Sequence, residues 1–498
     1  MERKLFGITV FYLLGIYLAV IYDIKKVFSL SVVLLCAMAI KITLSPKGRY
    51  DLLIIICVFI MLFGSFYVTH ENKSDFYGLV RKTVSVTARV SDYHKDGKQY
   101  NTVIATAILI SKDDISFKTC EKVQMRIYDK NISLSPGDIV RAEAKIILPN
   151  TSYDITTDNS LSLKAKKIFA ILSVKKENLE LISKEKPNIL EKLNIIRKVI
   201  GDRVSFYIKG DEGALVRAML LGDKSKIDKF LIEKFSHSGL SHILAVSGMH
   251  ISFMTALVFA VFKFLRVSKR RGFLFIIPII LFYVPLTGMS PSAVRAGIMT
   301  MLLVISKLIF RRADSLTSLS FSALMLTLVN PFCAFSLSFM LSFGATLGIL
   351  LFGEKLTDKF MAIFKITKDN KYIYKIIQAF SLTCSSQVFT APIVALYFGV
   401  FSLWSFITNI LTIVVLTPLF AGGMVFVLAT AIFPPLAKIC SYFVFPFAYT
   451  TIKIADFFSG QSVGIIKIKP TFEIFFIYIL FVLVICLFFG SIKGGKEK

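Results

Sequence analysis

Through most of this chain the apolar residues run together in unbroken blocks, not at the three- and four-residue intervals of a soluble amphipathic helix. The blocks are about 17 to 25 residues long, the length that crosses a hydrocarbon core roughly 30 Å thick. Three come first, at residues 5–22, 27–44 and 52–68. After a long interval nine more follow, at 240–267, 272–288, 291–309, 315–329, 334–353, 376–398, 404–431, 436–457 and 472–490. The pattern predicts a mainly α, polytopic helical membrane protein of about 12 spans, with 404–431 long enough to be one tilted helix or two broken ones.

The interval between the two sets has a different period. From Glu71 to Pro187 apolar and polar residues alternate, over Thr83 to Val90, Val103 to Ile110, Val123 to Tyr128 and Ile139 to Ile146. Asp96-Gly97 and Pro136-Gly137-Asp138 supply turns between the runs. About five short strands predict an inserted small all-β domain of the OB-like barrel type. Such barrels bind single-stranded nucleic acid when one face carries basic and aromatic side chains. Lys and Arg barely outnumber Asp and Glu here, so a purely structural barrel stays open as well.

Beyond it, Ile189, Leu190, Leu193, Ile196, Ile200 and Val204 recur at helical spacing, with Glu191, Lys192, Arg197, Lys198, Asp202 and Arg203 on the other faces. That spacing predicts an amphipathic helix lying on the outer membrane surface. A second short helix, Glu212 to Leu221, should end at Gly222-Asp223. The layout expected is three N-terminal spans in 1–70, an extracytoplasmic OB-like β domain in 71–187 and amphipathic surface helices in 188–235. A transmembrane bundle then occupies 236–490, and a basic cytoplasmic tail 491–498.

Composition agrees and adds a charge. Hydrophobic residues make up 55% of the 498 and mean hydropathy is +0.70, above that of a soluble domain. Lys plus Arg exceed Asp plus Glu by 59 to 32, a net charge of +27. The basic clusters at Arg3-Lys4, Lys269 to Arg271, Arg311-Arg312, within 354–375 and at Lys493 to Lys498 fall on alternate loops. The positive-inside rule then puts both termini in the cytoplasm and the β domain outside. Anionic lipid or a polyanionic substrate would favour the same excess. Six of the seven cysteines sit in apolar blocks and no C-x-x-C occurs, so neither a zinc site nor a disulfide framework is expected. The first block lacks an A-x-A cleavage site behind it and reads as a retained helix.

One stretch breaks the apolar rule. His237 to His250 reads H-S-G-L-S-H-I-L-A-V-S-G-M-H and holds three of the five histidines. Polarity this dense in a membrane segment faces a cavity or a partner helix. His237, Ser241, His242, Ser247, Gly248 and His250 are therefore candidates to line the mouth of a path. The histidines do not share a helical face as metal ligands would, and Ala245-Val246-Ser247-Gly248-Met249 is not G-x-S-x-G. No metal, cofactor or enzymatic activity is expected. Gly490 to Lys496 fits G-x-x-x-x-G-K, but Glu497 stands where Ser or Thr belongs, so an ATP-driven motor should be a separate protein.

An absence points the same way. Between Gly239 and Phe352 the only carboxylate is Asp314, and between Lys375 and Ala455 there is none. Proton- or sodium-coupled transporters place Asp or Glu at mid-membrane, whereas a path for a polyanion should exclude carboxylates. Within this region Thr287 to Gly297 opens a span, with Pro291 suited to the first helical turn and Ser290 or Thr287 to its cap. Arg295, beside Ser292, then lies about one turn inside, either touching phosphates in a channel or snorkelling to headgroups. Ser342 and Asn409 are embedded polar residues that could line the path or lock helices together.

The stretch 237–250, P-S-A-V-R-A-G-I-M (291–299), N-P-F-C-A-F-S-L-S-F-M-L-S-F (330–343) and Ala391-Pro392 through Asn409 together resemble the ComEC-type competence family. The resemblance covers nearly the whole chain. It implies a channel in the bacterial cytoplasmic (inner) membrane that carries one strand of DNA inward during natural transformation. Single-stranded DNA, the lipid bilayer, a separate motor and DNA receptor proteins are the partners it implies, with a separate nuclease and a homo-oligomer left open. Many family members continue into a metallo-β-lactamase-like domain, and nothing here matches its H-x-H-x-D-H pattern. This chain is thus expected to be a short form that does not itself degrade the second strand. A secondary transporter for a small anionic solute is the alternative from another class.

Overall fold

A computed structural model of the protein describes residues 4–21, 49–93, 100–112, 115–129, 134–149, 159–244, 248–363, 371–461, 464–467 and 478. Helices α1 (Lys4–Ile21) and α2 (Arg49–Glu71) pack against each other. The expected span 27–44 lies outside the described residues.

The β domain follows. Its strands are β1 (Thr83–Val90), β2 (Asn101–Lys112), β3 (Ile115–Lys118), β4 (Lys122–Ile127), β5 (Asp138–Ile147) and β6 (Ile168–Lys184), with a short helix α3 (Asn159–Lys164) before the last. The four alternating runs of the sequence coincide with β1, β2, β4 and β5. β3 and β6 fall outside the four alternating runs: β3 is only four residues long, and β6 joins a nearly continuous apolar first half, Ile168 to Val174, to a mostly charged or polar second half. β1 pairs with β2 on one side and β5 on the other; β5 pairs with β6, β6 with β4 and β4 with β2. The ladder therefore returns to the strand it starts from, and only the β4–β6 pair is parallel. Inward positions of each strand, such as Val84, Val86, Ala88 and Val90, are buried in one core.

Helix α4 (Ile189–Tyr207) starts at a capping box: Asn188 Oδ1 accepts from the Glu191 N–H while the Glu191 carboxylate accepts from the Asn188 N–H. Its apolar residues divide, with Leu193 and Val204 buried and Ile189 and Phe206 exposed. Helix α5 (Gly210–Leu221) corrects the expectation of a surface helix. Gly213 to Leu221 are all buried, because Ala214, Leu215, Val216, Met219 and Leu220 make it apolar on every side. It ends where Gly222 takes a left-handed φ of 70°.

The bundle continues with α6 (Lys229–His237), α7 (Gly248–Phe264), α8 (Lys269–Leu286), α9 (Pro291–Leu308), α10 (Ser315–Val329), α11 (Leu337–Ile363), α12 (Lys371–Phe398), α13 (Ser405–Ile432) and α14 (Pro434–Ser459). Among the described residues, four helices are long and apolar enough to cross a membrane: Pro291–Leu308, Leu337–Ile363, Tyr372–Phe398 and Ser405–Ile432. Shorter apolar helices lie within α1, α2, α7, α8 and α10. The block 404–431 is one helix, with Pro418 inside it. The block 240–267 is not: its described helix starts at Gly248, and Ser241–Leu244 is a 3-10 turn. Between α12 and α13 a short strand β7 (Val400–Ser402) pairs with β8 (Ile465–Lys467). Of the expected span 472–490 only Tyr478 is described, and its hydroxyl reaches the α12 backbone at Phe389.

Candidate functional site

Two helix starts create the site. Ser290 caps α9 by accepting from the Ala293 N–H at 3.3 Å, and Pro291 occupies the first turn. Ser336 caps α11, accepting from the Phe339 N–H at 3.2 Å. Side chains three or four residues apart share a helix face. Ser292, Arg295 and Met299 thus form one stripe on α9, and Ser338, Ser342 and Thr346 a facing stripe on α11.

Arg295 stands between them, 8% exposed. Its Nε donates to Ser342 Oγ at 2.8 Å and its Nη1 to Thr346 Oγ1 at 2.6 Å, with Met299 Sδ at 3.6 Å. The guanidinium carbon lies 5.8 Å from the centre of the Phe343 ring. Ser342 accepts from Arg295, which leaves its own proton for Ser292 Oγ, 2.9 Å away. The Ser292 N–H in turn faces Ser338 Oγ at 3.4 Å. Every one of these groups is neutral, and among the described residues no carboxylate pairs with Arg295. Hydroxyls solvate a buried guanidinium without cancelling its charge, and a buried charge without a counter-ion is costly. The cluster is therefore a fixed positive centre in an apolar bundle. Gly248, first residue of α7, lies alongside: a Cβ there would be 3.2 Å from Arg295 Nη2.

The 237–250 stretch reaches this centre at one end only. His237 closes α6, and the next residues turn away from helix: Gly239 has a φ of 78°, and a Cβ on it would lie 2.5 Å from Ser405 Cβ. Only glycine fits there. Thr408 Oγ1 donates to the Ser238 carbonyl at 2.9 Å, and Gln387 Nε2 to Ser405 Oγ at 3.1 Å, so a polar seam joins this turn to α12 and α13. Ser241 and His242 sit on the 3-10 turn; Ser241 Oγ is buried with no hydrogen-bond partner among the described residues, and His242 is exposed. Asn409, one turn after Ser405, has its Oδ1 buried and, among the described residues, equally without a partner. His250 is buried edge-on against Phe420, ring centres 4.2 Å apart. Ser247 lies outside the described residues.

Of the residues expected from sequence, Gly248, Ser292, Arg295 and Ser342 come together. Ser241 and Asn409 lie along the seam around Gly239 and Ser405; His237 and His242 are apart from Arg295. The three histidines do not converge, and among the described residues no three His, Cys, Asp or Glu side chains are grouped to hold a metal. Thr346, Met299 and Phe343 were missed, although the four-residue repeat Ser338, Ser342, Thr346 carries the signal for the first of them.

Comparison with known proteins follows the same segments. A family model described as Competence protein matches residues 219–491. The ComE operon protein 3 of Bacillus subtilis (strain 168) is 25% identical over 321 residues, covering 61% of this chain and 39% of that protein. An "Uncharacterized protein" of Aquifex aeolicus (strain VF5) is 30% identical over 302 residues, 58% of this chain and 65% of the other. The matched region is less than two thirds of either relative. No solved structure matches. The family match spans more than half of the sequence and contains the Arg295 cluster, the Gly239 turn and the polar seam: the chain belongs to the competence protein family.

Proposed function

We propose that this chain is the channel through which single-stranded DNA crosses the bacterial cytoplasmic membrane during natural transformation. One observation carries the reading: a buried arginine held only by neutral groups, in helices whose sequence is almost free of carboxylates. An uncompensated guanidinium on a path attracts phosphate and gives no purchase to a cation. Arg295 contacts the DNA backbone as it passes, and the polar seam from Ser238 to Asn409 lines part of the route.

The finer architecture belongs to the same proposal. The chain comprises about 12 spans, three before the β domain and nine in the bundle, with both termini in the cytoplasm. The β domain is an OB-like barrel outside, for which the closed ladder and the single parallel β4–β6 pair are the support. It receives the strand on the outward face of β2 and β4. There Tyr100 and Tyr128 meet edge to face at 5.6 Å, and Arg126 lies 5.1 Å from the centre of Tyr100, a combination suited to stacked bases. A separate ATP-driven motor, DNA receptors and a nuclease complete the machinery.

The test is uptake of labelled DNA into nuclease-protected cytoplasm. Arg295→Glu should abolish uptake at normal protein level, because it places a carboxylate where phosphate must pass. Unchanged uptake would make Arg295 a lipid anchor and remove the support for a channel. Uptake of a small anion by reconstituted protein, with no transformation defect on deletion, would favour a transporter instead.

A further inference from the structure

The two turns that launch the Arg295 cluster are both fastened to the β domain. At the first, the turn after α8 passes through Gly288 and Met289, both left-handed at φ 81° and 52°, before Ser290 caps α9. Arg197 of α4 fills the space over Gly288: a Cβ there would lie 2.5 Å from its Nη1. The other nitrogen of Arg197, Nη2, pairs with Asp92 of the β domain at 3.1 Å. That junction is reinforced on both sides. Asn194 Nδ2 donates to the Ser91 carbonyl, the Lys198 ammonium lies 3.8 Å from the Tyr93 ring centre, and Arg89 forks onto Glu191. At the second turn, Asn330 Nδ2 donates to the carbonyls of Lys164 and Ala165 at 3.0 and 2.9 Å, and Phe332 meets Phe169 edge to face. From there the chain enters α11, which carries Ser342 and Thr346.

We propose that Arg197 is a positioning residue which, together with Asn330, lets the β domain set the separation of α9 and α11 and thereby the geometry around Arg295. The proposal rests on the reading of Arg295 as part of the path, but its mechanical core does not need DNA. Arg295 is held by contacts that cross from α9 to α11, so any relative shift of those helices exchanges Ser342 and Thr346 for another partner. The backbone alone does not fix that shift, because the α8–α9 turn passes through two positive-φ residues and depends on a side chain from another element to brace it. A displacement of the β domain pulls on Asp92 and Lys164, hence on both turns.

The hydroxyls of Ser292 and Ser342, 2.9 Å apart, provide a ruler. In the full-length protein carrying Ser292→Cys and Ser342→Cys, oxidative cross-linking identified by peptide mass spectrometry should be fast. Adding Arg197→Ala should slow it about threefold or more, and Asn330→Ala should slow it as well. Asp92→Arg should slow it alone and recover when combined with Arg197→Asp, a rescue that general loosening would not produce. Gly288→Ala, which displaces Arg197 without changing any charge, supplies a second route should Arg197→Ala fail to fold. Cross-linking indifferent to Arg197, Asn330 and Gly288, or an exchanged pair no better than either single variant, would overturn the proposal. Cross-linking that responds as expected in a protein whose deletion leaves DNA uptake intact would leave the positioning role standing and remove the channel.

Discussion

Arg217 and Arg295 are guanidiniums buried to similar depth in one bundle, 4% and 8% exposed, and their surroundings are opposite. Arg217 on α5 is clamped by Asp223, 2.7 Å from its Nη2, and by Asp202, 3.1 Å from its Nη1, with Ser205 Oγ alongside. Burial would raise the Asp223 carboxyl pKa, but the Ser225 N–H and the charge of Arg217 outweigh it and hold the group below its ordinary value. This arginine ties α5 to α4 and to the turn after it, and its charge is spent internally. Arg295 has two hydroxyls, a thioether and a ring, and its charge remains available. A buried cation with carboxylates is a clasp; one without them is a site.

Four perturbations sharpen that contrast. Arg217→Ala should have the largest effect, lowering stability by about 3 kcal/mol, since two carboxylates lose their partner while Asp202 stays half in solvent. Thermal unfolding in detergent and the amount of protein in the membrane would show it. Arg295→Met should leave unfolding unchanged or slightly later, because it removes a buried charge without stranding a carboxylate. DNA uptake should fall roughly ten- to a hundredfold, the worth of charge-assisted contacts to phosphate. If Arg295→Met unfolds the protein as Arg217→Ala does, the distinction between clasp and site fails.

The third perturbation is pH. The folded Asp223 pKa is depressed, so its stabilisation is present above the unfolded value of about 3.9 and drains away as pH falls towards the folded value. Melting temperature should decline below about pH 4 in the parent protein and decline less steeply in Asp223→Asn. Glu191 acts in the same sense at the β-domain junction: burial raises its pKa, the Arg89 hydrogen bonds and the Asn188 N–H more than offset this, and the net shift is downward. Smallest of all, Gly248→Ala should reduce uptake by about twofold at unchanged stability. Its Cβ, 3.2 Å from Arg295 Nη2, crowds the guanidinium from the α7 side. Uptake equal to the parent would place the approach elsewhere.

Much of the fold was legible before any coordinates. Val84-x-Val86-x-Ala88-x-Val90 specifies one buried face of a strand by period alone, and the carboxylate-free blocks specify helices in an apolar solvent. Where legibility failed, local pattern and tertiary environment diverged. Lys175 to Lys184 continues a strand with few apolar residues because β5 supplies a ladder for it. Glu212 to Leu221 falls in the segment expected to hold surface helices, yet it is buried, and Asp202 and Asp223 supply the partners its one arginine needs there. The block 240–267 reads as one span, but its described helix begins only at Gly248, after a 3-10 turn at Ser241–Leu244 that a left-handed Gly239 packed on Ser405 sets off from α6.

The same division holds for the site. By itself the sequence determined that Arg295 lies about one turn into an apolar helix, behind Pro291, in a region with Asp314 as its lone carboxylate from Gly239 to Phe352. Periodicity, capping and solvent partition act over a few residues, and a single chain displays them in order. Only the tertiary structure decided that Ser342 and Thr346, 47 and 51 residues away, receive the guanidinium, and that Arg197 of a different helix braces the Gly288 turn beneath it. Those contacts depend on which helices meet and at what depth, and the burial of distant surfaces sets that, beyond the reach of any local pattern.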